Sequence, residues 1–161
     1  MLRLISQDAA TLESMISAEE FRDRHGASID GHLELARDMV RQTLDLGERV
    51  GAEPPWIGYL AVDDASRAVI GCCGFTGNPS QDGSVEIAYF TFPPNEGKGH
   101  ATEMARMLVG IAREQGGVRH VIAHTLPEVN ASTRVLQKLG FARVGEITDP
   151  EDGLIWRWRL E

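Results

Sequence analysis

The chain has 161 residues, 42% hydrophobic and 25% charged, a composition that supports a buried core without disulfide or metal staples and excludes disorder as the main state. Sixteen Lys and Arg stand against 24 Asp and Glu, a net charge of −8, the wrong sign for a sequence-independent nucleic-acid binder. No apolar run approaches the ~18–20 residues that span a bilayer, and the opening Met1-Leu-Arg-Leu-Ile-Ser-Gln-Asp has no secretory pattern, so the expectation is a cytoplasmic protein of one domain, residues 1–161.

In chain order, Leu2–Ile5 reads as a short strand, and Ala9–Ile16 and Glu19–His25 as short helices. Ser28 is placed to cap a longer helix with Ile29, Leu33, Ala36, Val40 and Leu44 on one stripe, closed by Gly47. Trp56–Val62 and Val69–Thr76 read as strands around the turn Asp63-Asp64-Ala65-Ser66. Within the second, Cys72 and Cys73 point to opposite faces, which disfavours a bridge between them and suits reduced, buried residues. Ser84–Phe92 is a third strand. A helix follows to about Gln115, its inner stripe Ala101, Met104, Ala105, Leu108, Ile111 and Ala112. His120–Thr125 is a strand, Asn130–Leu139 a helix ended by Gly140, and Ala142–Thr148 and Leu154–Leu160 a closing pair of strands. The order β, helices, βββ, α, β, α, ββ predicts an α/β (α+β) class with a mixed sheet and helices on its faces.

The segment Phe92–Ala101 carries the most information. Pro93 and Pro94 end strand pairing, and Gly97 and Gly99 open a helix. Uncapped amides and the helix dipole favour an anion there, and missing Cβ atoms let it approach the backbone. The plainer reading is an ordinary turn before a helix. A Walker loop is excluded, because Gly97-Lys98 is followed by Gly99 rather than Ser or Thr. A dinucleotide fingerprint is excluded, because Thr102 stands where its third glycine belongs.

Val85-Glu-Ile-Ala-Tyr-Phe-Thr-Phe-Pro93 followed by Glu96-Gly-Lys-Gly-His-Ala-Thr-Glu103 resembles the acetyl-CoA motif of the GNAT N-acetyltransferase superfamily. More narrowly it resembles the branch holding the bacterial ribosomal-protein N-terminal (alanine) acetyltransferases. Asn130-Ala-Ser-Thr-Arg-Val-Leu-Gln-Lys-Leu-Gly-Phe141 resembles a second block of that family, in the same order. The resemblance implies a GNAT-like, mostly antiparallel central sheet flanked by helices. It implies acetyl-CoA as co-substrate, held by Phe90, Thr91, Phe92, Gly97, Lys98, Gly99, His100, Ala101, Thr102 and Asn130, with no metal. The sequence departs from the pattern at Glu96, where Gln or Arg is usual, at His100 for Tyr, and at Ala88 for Gly. Leu136 stands where many members carry a general-acid tyrosine.

The reaction implied is direct attack of an amine on a thioester in a ternary complex, so a group must accept the amine proton. Glu86 is the candidate. Period-two alternation puts it on one face with Ala88, Phe90 and Phe92, where an apolar setting would desolvate it. Its plainer reading is a surface glutamate paired with a cation. A backbone amide near Phe90 would polarise the carbonyl, and Ser132 or water would return a proton to the thiolate. Asn130 is equally an ordinary helix N-cap. His120 and His124 lie on a strand with no third ligand to complete a metal set. The acceptor is expected to be a protein N-terminus or a small-molecule amine, with no nucleic acid or membrane partner and a homodimer left open. Its specificity is expected from Glu19–Leu33, Trp56 and the Ile147–Gly153 turn. A non-catalytic acyl-CoA-binding module is the alternative.

Overall fold

Seven segments with alternating or continuous apolar patterning become strands and five become α-helices in a computed structural model that describes residues 1–161. The strands are β1 (Leu2–Ser6), β2 (Gly58–Asp63), β3 (Ala68–Phe75), β4 (Ser84–Thr91), β5 (His120–Thr125), β6 (Ala142–Asp149) and β7 (Gly153–Leu160). The helices are α1 (Ala9–Ser14), α2 (Ala18–His25), α3 (Leu33–Val50), α4 (His100–Glu114) and α5 (Ala131–Lys138). The strands join in one sheet of order β1-β2-β3-β4-β5-β7-β6. Every neighbouring pair is antiparallel except β4 with β5. The predicted mixed, mostly antiparallel α/β sheet is therefore what forms.

Two cores lie on opposite faces of the sheet. Ile70, Cys73, Val85, Ile87, Val121, Ala123 and Trp158 bury one face under Met104, Ala105 and Leu108 of α4 and Leu136 of α5. Leu60, Val62 and Val69 bury the other under Phe21, Ala36 and Val40 from α2 and α3. Cys72 and Cys73 follow this division as unbridged thiols. Burial pushes the Cys72 thiol up to about 12 and the Cys73 thiol higher still, so both are inert near neutral pH. No helix is long and apolar enough to cross a membrane.

The third helix departs from its expected limits. Ser28 does not cap it. Its N–H donates to Arg67 O at 2.7 Å and its carbonyl accepts from Val69 N at 2.8 Å, so the segment bridges to β3. The left-handed Gly31 (φ 79°) then turns the chain before α3 begins at Leu33. Gly47 lies inside the helix, and Gly51, at φ 65°, ends it. Trp56 precedes β2 and packs edge-on against Phe75 with ring centroids 5.0 Å apart.

Candidate functional site

β4 and β5 pair only across Ser84–Glu86 and His120–Ile122. Beyond that the two parallel strands separate, leaving a wedge-shaped gap. Pairing with β3 is in register through Phe75–Gly71 and Ile87–Thr91, with Thr76 N donating to Glu86 O at 3.1 Å and Phe92 N to Ile70 O at 2.8 Å. An antiparallel ladder repeats every two residues. The amides of Ala88 and Phe90 therefore face β3, and those of Ile87, Tyr89 and Thr91 face the gap. The amide expected near Phe90 is thus that of a neighbour, Tyr89 or Thr91.

A groove of about 640 Å³ opens at this end of β4, between the loop before α4 and the start of α5. Of the residues singled out in the sequence, Phe90, Thr91, Glu96, Gly97, Gly99, His100, Ala101, Thr102, Asn130 and Ser132 line it. Gly97 and Gly99 hold φ of 76° and 83°, and a Cβ on either would meet nothing within 4 Å. The space above both glycines is open, and their conformation is one that L side chains rarely adopt. α4 starts at Gly99 without a side-chain cap, so its first amides are free to bind an anion. Thr91 Oγ1 is buried with no hydrogen-bond partner and belongs to the groove wall, an acceptor and donor awaiting a ligand. An open glycine cradle, uncapped amides and an unpartnered hydroxyl together fit a phosphate-bearing, amide-rich carrier such as coenzyme A.

Two residues, Phe92 and Lys98, differ from expectation. Phe92 lies just past β4 and is fully buried in the core under α2 and α3, 4.8 Å from the His32 ring, so its side chain does not reach the groove. Lys98 is exposed and outside the lining. Asn130, as expected, both lines the groove and caps α5, its Oδ1 accepting from Thr133 N at 3.0 Å while Thr133 Oγ1 accepts from Asn130 N at 2.9 Å. The positive charge in the lining comes instead from Arg134 and Lys138, one turn apart on α5. Sequence reasoning missed them, though their spacing of four residues puts them on one helix face.

Tyr89, on the core side of β4, also reaches the groove and was not foreseen. Its hydroxyl donates to Ser132 O at 3.3 Å and accepts from Ser132 Oγ at 3.4 Å. Burial pushes the phenol above its ordinary value, with the Ser132 contact opposing the shift.

Glu86 stands at the closed end of the gap, on the face opposite α4. It shares that face with Ala88 and Phe90, but both are exposed, so no apolar cover desolvates the carboxylate. Its setting is polar. Thr76 Oγ1 donates to Oε2 at 3.2 Å, and His124 Nδ1 lies 2.7 Å from Oε1. The side chains of Glu86 and His124 are 31% and 16% exposed. Thr76 also lines a second cleft, of about 490 Å³, with Gln7, Thr43, Leu44 and Trp56. That cleft holds Asp8, Glu48 and Glu53 and no Lys or Arg.

Comparison with known proteins accords with this architecture. The model of the acetyltransferase (GNAT) domain family matches residues 1–142. The uncharacterized N-acetyltransferase YjdG of Bacillus subtilis is 29% identical over 83 residues, 52% of this chain and 49% of that protein. The uncharacterized N-acetyltransferase p20 of Bacillus licheniformis is 30% identical over 116 residues, 72% of this chain and 63% of that protein. The chain thus spans less than two thirds of the length of these curated relatives. The solved structure of the ribosomal L7/L12 α-N-protein acetyltransferase RimL, in complex with coenzyme A, is similar at a TM-score of 0.69 and 16% identity, over 99% of this chain and 93% of that one. At that identity the likeness is one of fold. The family match covers most of the chain, and the chain belongs to the GNAT acetyltransferase family.

Proposed function

We propose that residues 1–161 form one N-acetyltransferase domain that transfers the acetyl group of acetyl-CoA to a primary amine by direct attack in a ternary complex. The observation that carries this reading is the gap between β4 and β5. A glycine cradle lies toward its open end, and a hydrogen-bonded carboxylate, Glu86, stands at its closed end. Gly97, Gly99 and the first amides of α4 would hold the pyrophosphate, and Arg134 and Lys138 would add charge. Thr91 Oγ1 would bond the carrier's amide arm. Acetyl-CoA supplies an activated thioester when bound there. The amide of Tyr89 or Thr91 would polarise the thioester carbonyl, because a fixed backbone dipole needs no reorganisation as charge develops.

The amine would arrive through the second cleft, whose wall residue Thr76 bonds Glu86. A cleft lined by carboxylates and no cation favours an acceptor that arrives protonated. Glu86 would take its proton, directly or through water. The departing sulfur would recover a proton from Tyr89 or Ser132, which together occupy the role left vacant by the buried Leu136. The acceptor class is a protein N-terminus or a small amine. A thiol-release assay with acetyl-CoA across peptides and small amines tests the reading. Thiol release that matches amine acetylation one to one supports it, and binding of acetyl-CoA without release on any amine overturns it.

A further inference from the structure

His124 sits two residues beyond the last β4–β5 pair, and its ring crosses the base of the gap to Glu86. Its other ring nitrogen is also engaged: Arg157 Nε donates to His124 Nε2 at 3.1 Å. A guanidinium has no acceptor and is always protonated. His124 Nε2 must therefore carry the lone pair, and the ring proton must sit on Nδ1. The Nδ1–H then donates to Glu86 Oε1 at 2.7 Å, a short charge-assisted bond. Thr76 Oγ1 donates to Oε2 at 3.2 Å from the other side. The register explains the assembly. His124 pairs with Arg157 across β5 and β7, and the sheet's alternation puts Glu86, His124 and Arg157 on one face.

We infer that His124, its tautomer fixed by Arg157, is the positioning residue that holds the Glu86 carboxylate in place for proton abstraction. The inference rests on the reading of Glu86 as the base. A glutamate has three rotatable bonds, and a half-exposed one samples several rotamers. The two donors hold both carboxylate oxygens and leave the outward lone pairs for the amine or a bridging water. Arg157 never touches the acceptor in this scheme. It removes the wrong imidazole tautomer, which would present a lone pair to the carboxylate and repel it. The proton account is simple: the amine proton passes to Glu86, and His124 keeps its own on Nδ1 throughout.

The test is steady-state kinetics on His124→Leu, His124→Asn and Arg157→Leu, with Glu86→Gln and the double variant Glu86→Gln/His124→Leu. Loss of orientation should lower kcat about 10- to 100-fold in His124→Leu, the scale set by misplacing a reacting group by about 1 Å, with the KM for acetyl-CoA unchanged. An asparagine amide can place a donor where Nδ1–H stood, so His124→Asn should recover most of the lost rate. Arg157→Leu should lower kcat less than His124→Leu, because part of the imidazole population keeps the productive tautomer. In the Glu86→Gln background, His124→Leu should add almost nothing, since groups that act through one another are not additive. Equal losses in both backgrounds would overturn the inference, as would no rescue by asparagine or a raised acetyl-CoA KM matched by a lowered melting temperature. If Glu86→Gln costs rate and His124→Leu does not, the inference fails while the reading of Glu86 stands. If Glu86→Gln costs nothing, both fall.

Discussion

Tyr89 and Ser132 meet across the groove: the Ser132 hydroxyl reaches Tyr89 Oη at 3.4 Å, and Tyr89 reaches back to the Ser132 carbonyl at 3.3 Å. Both bonds are long, so the phenol gives up little to turn toward a sulfur anion in the groove. Tyr89→Phe should lower kcat about 10-fold. That lies below the usual worth of a positioned acid, because a thiol with an ordinary pKa near 8.5 leaves without much help. Burial pushes the Tyr89 phenol upward, so the loss should be the same from neutral to mildly alkaline pH. Steady-state rates at several pH values check this, and an unchanged kcat would remove Tyr89 from the chemistry.

Gly99→Val puts a β-branched side chain at φ 83°, over the space left open for the pyrophosphate. The left-handed conformation costs such a residue about 1–2 kcal/mol before any ligand is considered. Acetyl-CoA at 100 times its Kd should stabilise the parent by about 2.7 kcal/mol and the variant by far less, because a ligand stabilises only the state it binds. Thermal unfolding with and without acetyl-CoA reads the difference. Equal shifts in both proteins would place the phosphates elsewhere.

Arg134 and Lys138 supply the exposed cations of the groove wall. Arg134→Gln and Lys138→Gln should each weaken acetyl-CoA binding about two- to five-fold, the worth of an exposed ion pair. The double variant should also flatten the dependence of Kd on salt, since exposed charges are screened. Titration at two ionic strengths measures both effects.

Part of this site was legible in the sequence and part was not. The glycines before α4, the Asn130 cap and the strand bearing Glu86 are local signals: a positive-φ residue, a side chain accepting from the third amide on, and a two-residue alternation. Alternation puts Phe92 on the right face, that of Glu86; its expected cofactor contact came from the resemblance alone, and the core under α2 and α3 covers that face at Phe92. The start of α3 was misplaced because Ser28 spends its backbone on Arg67 and Val69, partners some forty residues away. His124 shows in the sequence only as a strand histidine without metal partners, and Arg157 not at all, for the same reason. Their meaning depends on sheet order, which brings three separate strands together at Glu86. Nothing in the sequence marks Tyr89; its ring packs against the core under α4, and only the position of α5 shows that its hydroxyl opens on the groove.

Stability should fall below neutral pH through His25. Burial chiefly, with the Arg3 charge, holds this imidazole below its ordinary 6.5 in the folded state. The unfolded chain therefore binds more protons between the two values, and stability drops as pH falls through that window. Urea unfolding at pH 7.5 and 5.5 should show a larger loss for the parent than for His25→Gln. Equal losses would assign the pH dependence to other groups.

The central claim is that Glu86 accepts the amine proton at the closed end of the β4–β5 gap. The most direct measurement compares the parent with Glu86→Gln, reading acetyl-CoA Kd and the rate of amine acetylation from pH 6 to 10. The account predicts an almost unchanged Kd and a rate lowered about 10²- to 10⁴-fold near neutral pH, the usual range for a positioned acid–base group. The deficit should shrink as pH rises, because a growing share of the amine is already neutral. An unchanged rate at neutral pH would contradict the claim. So would an equal loss at every pH together with weakened acetyl-CoA binding, which would make Glu86 a structural residue of β4.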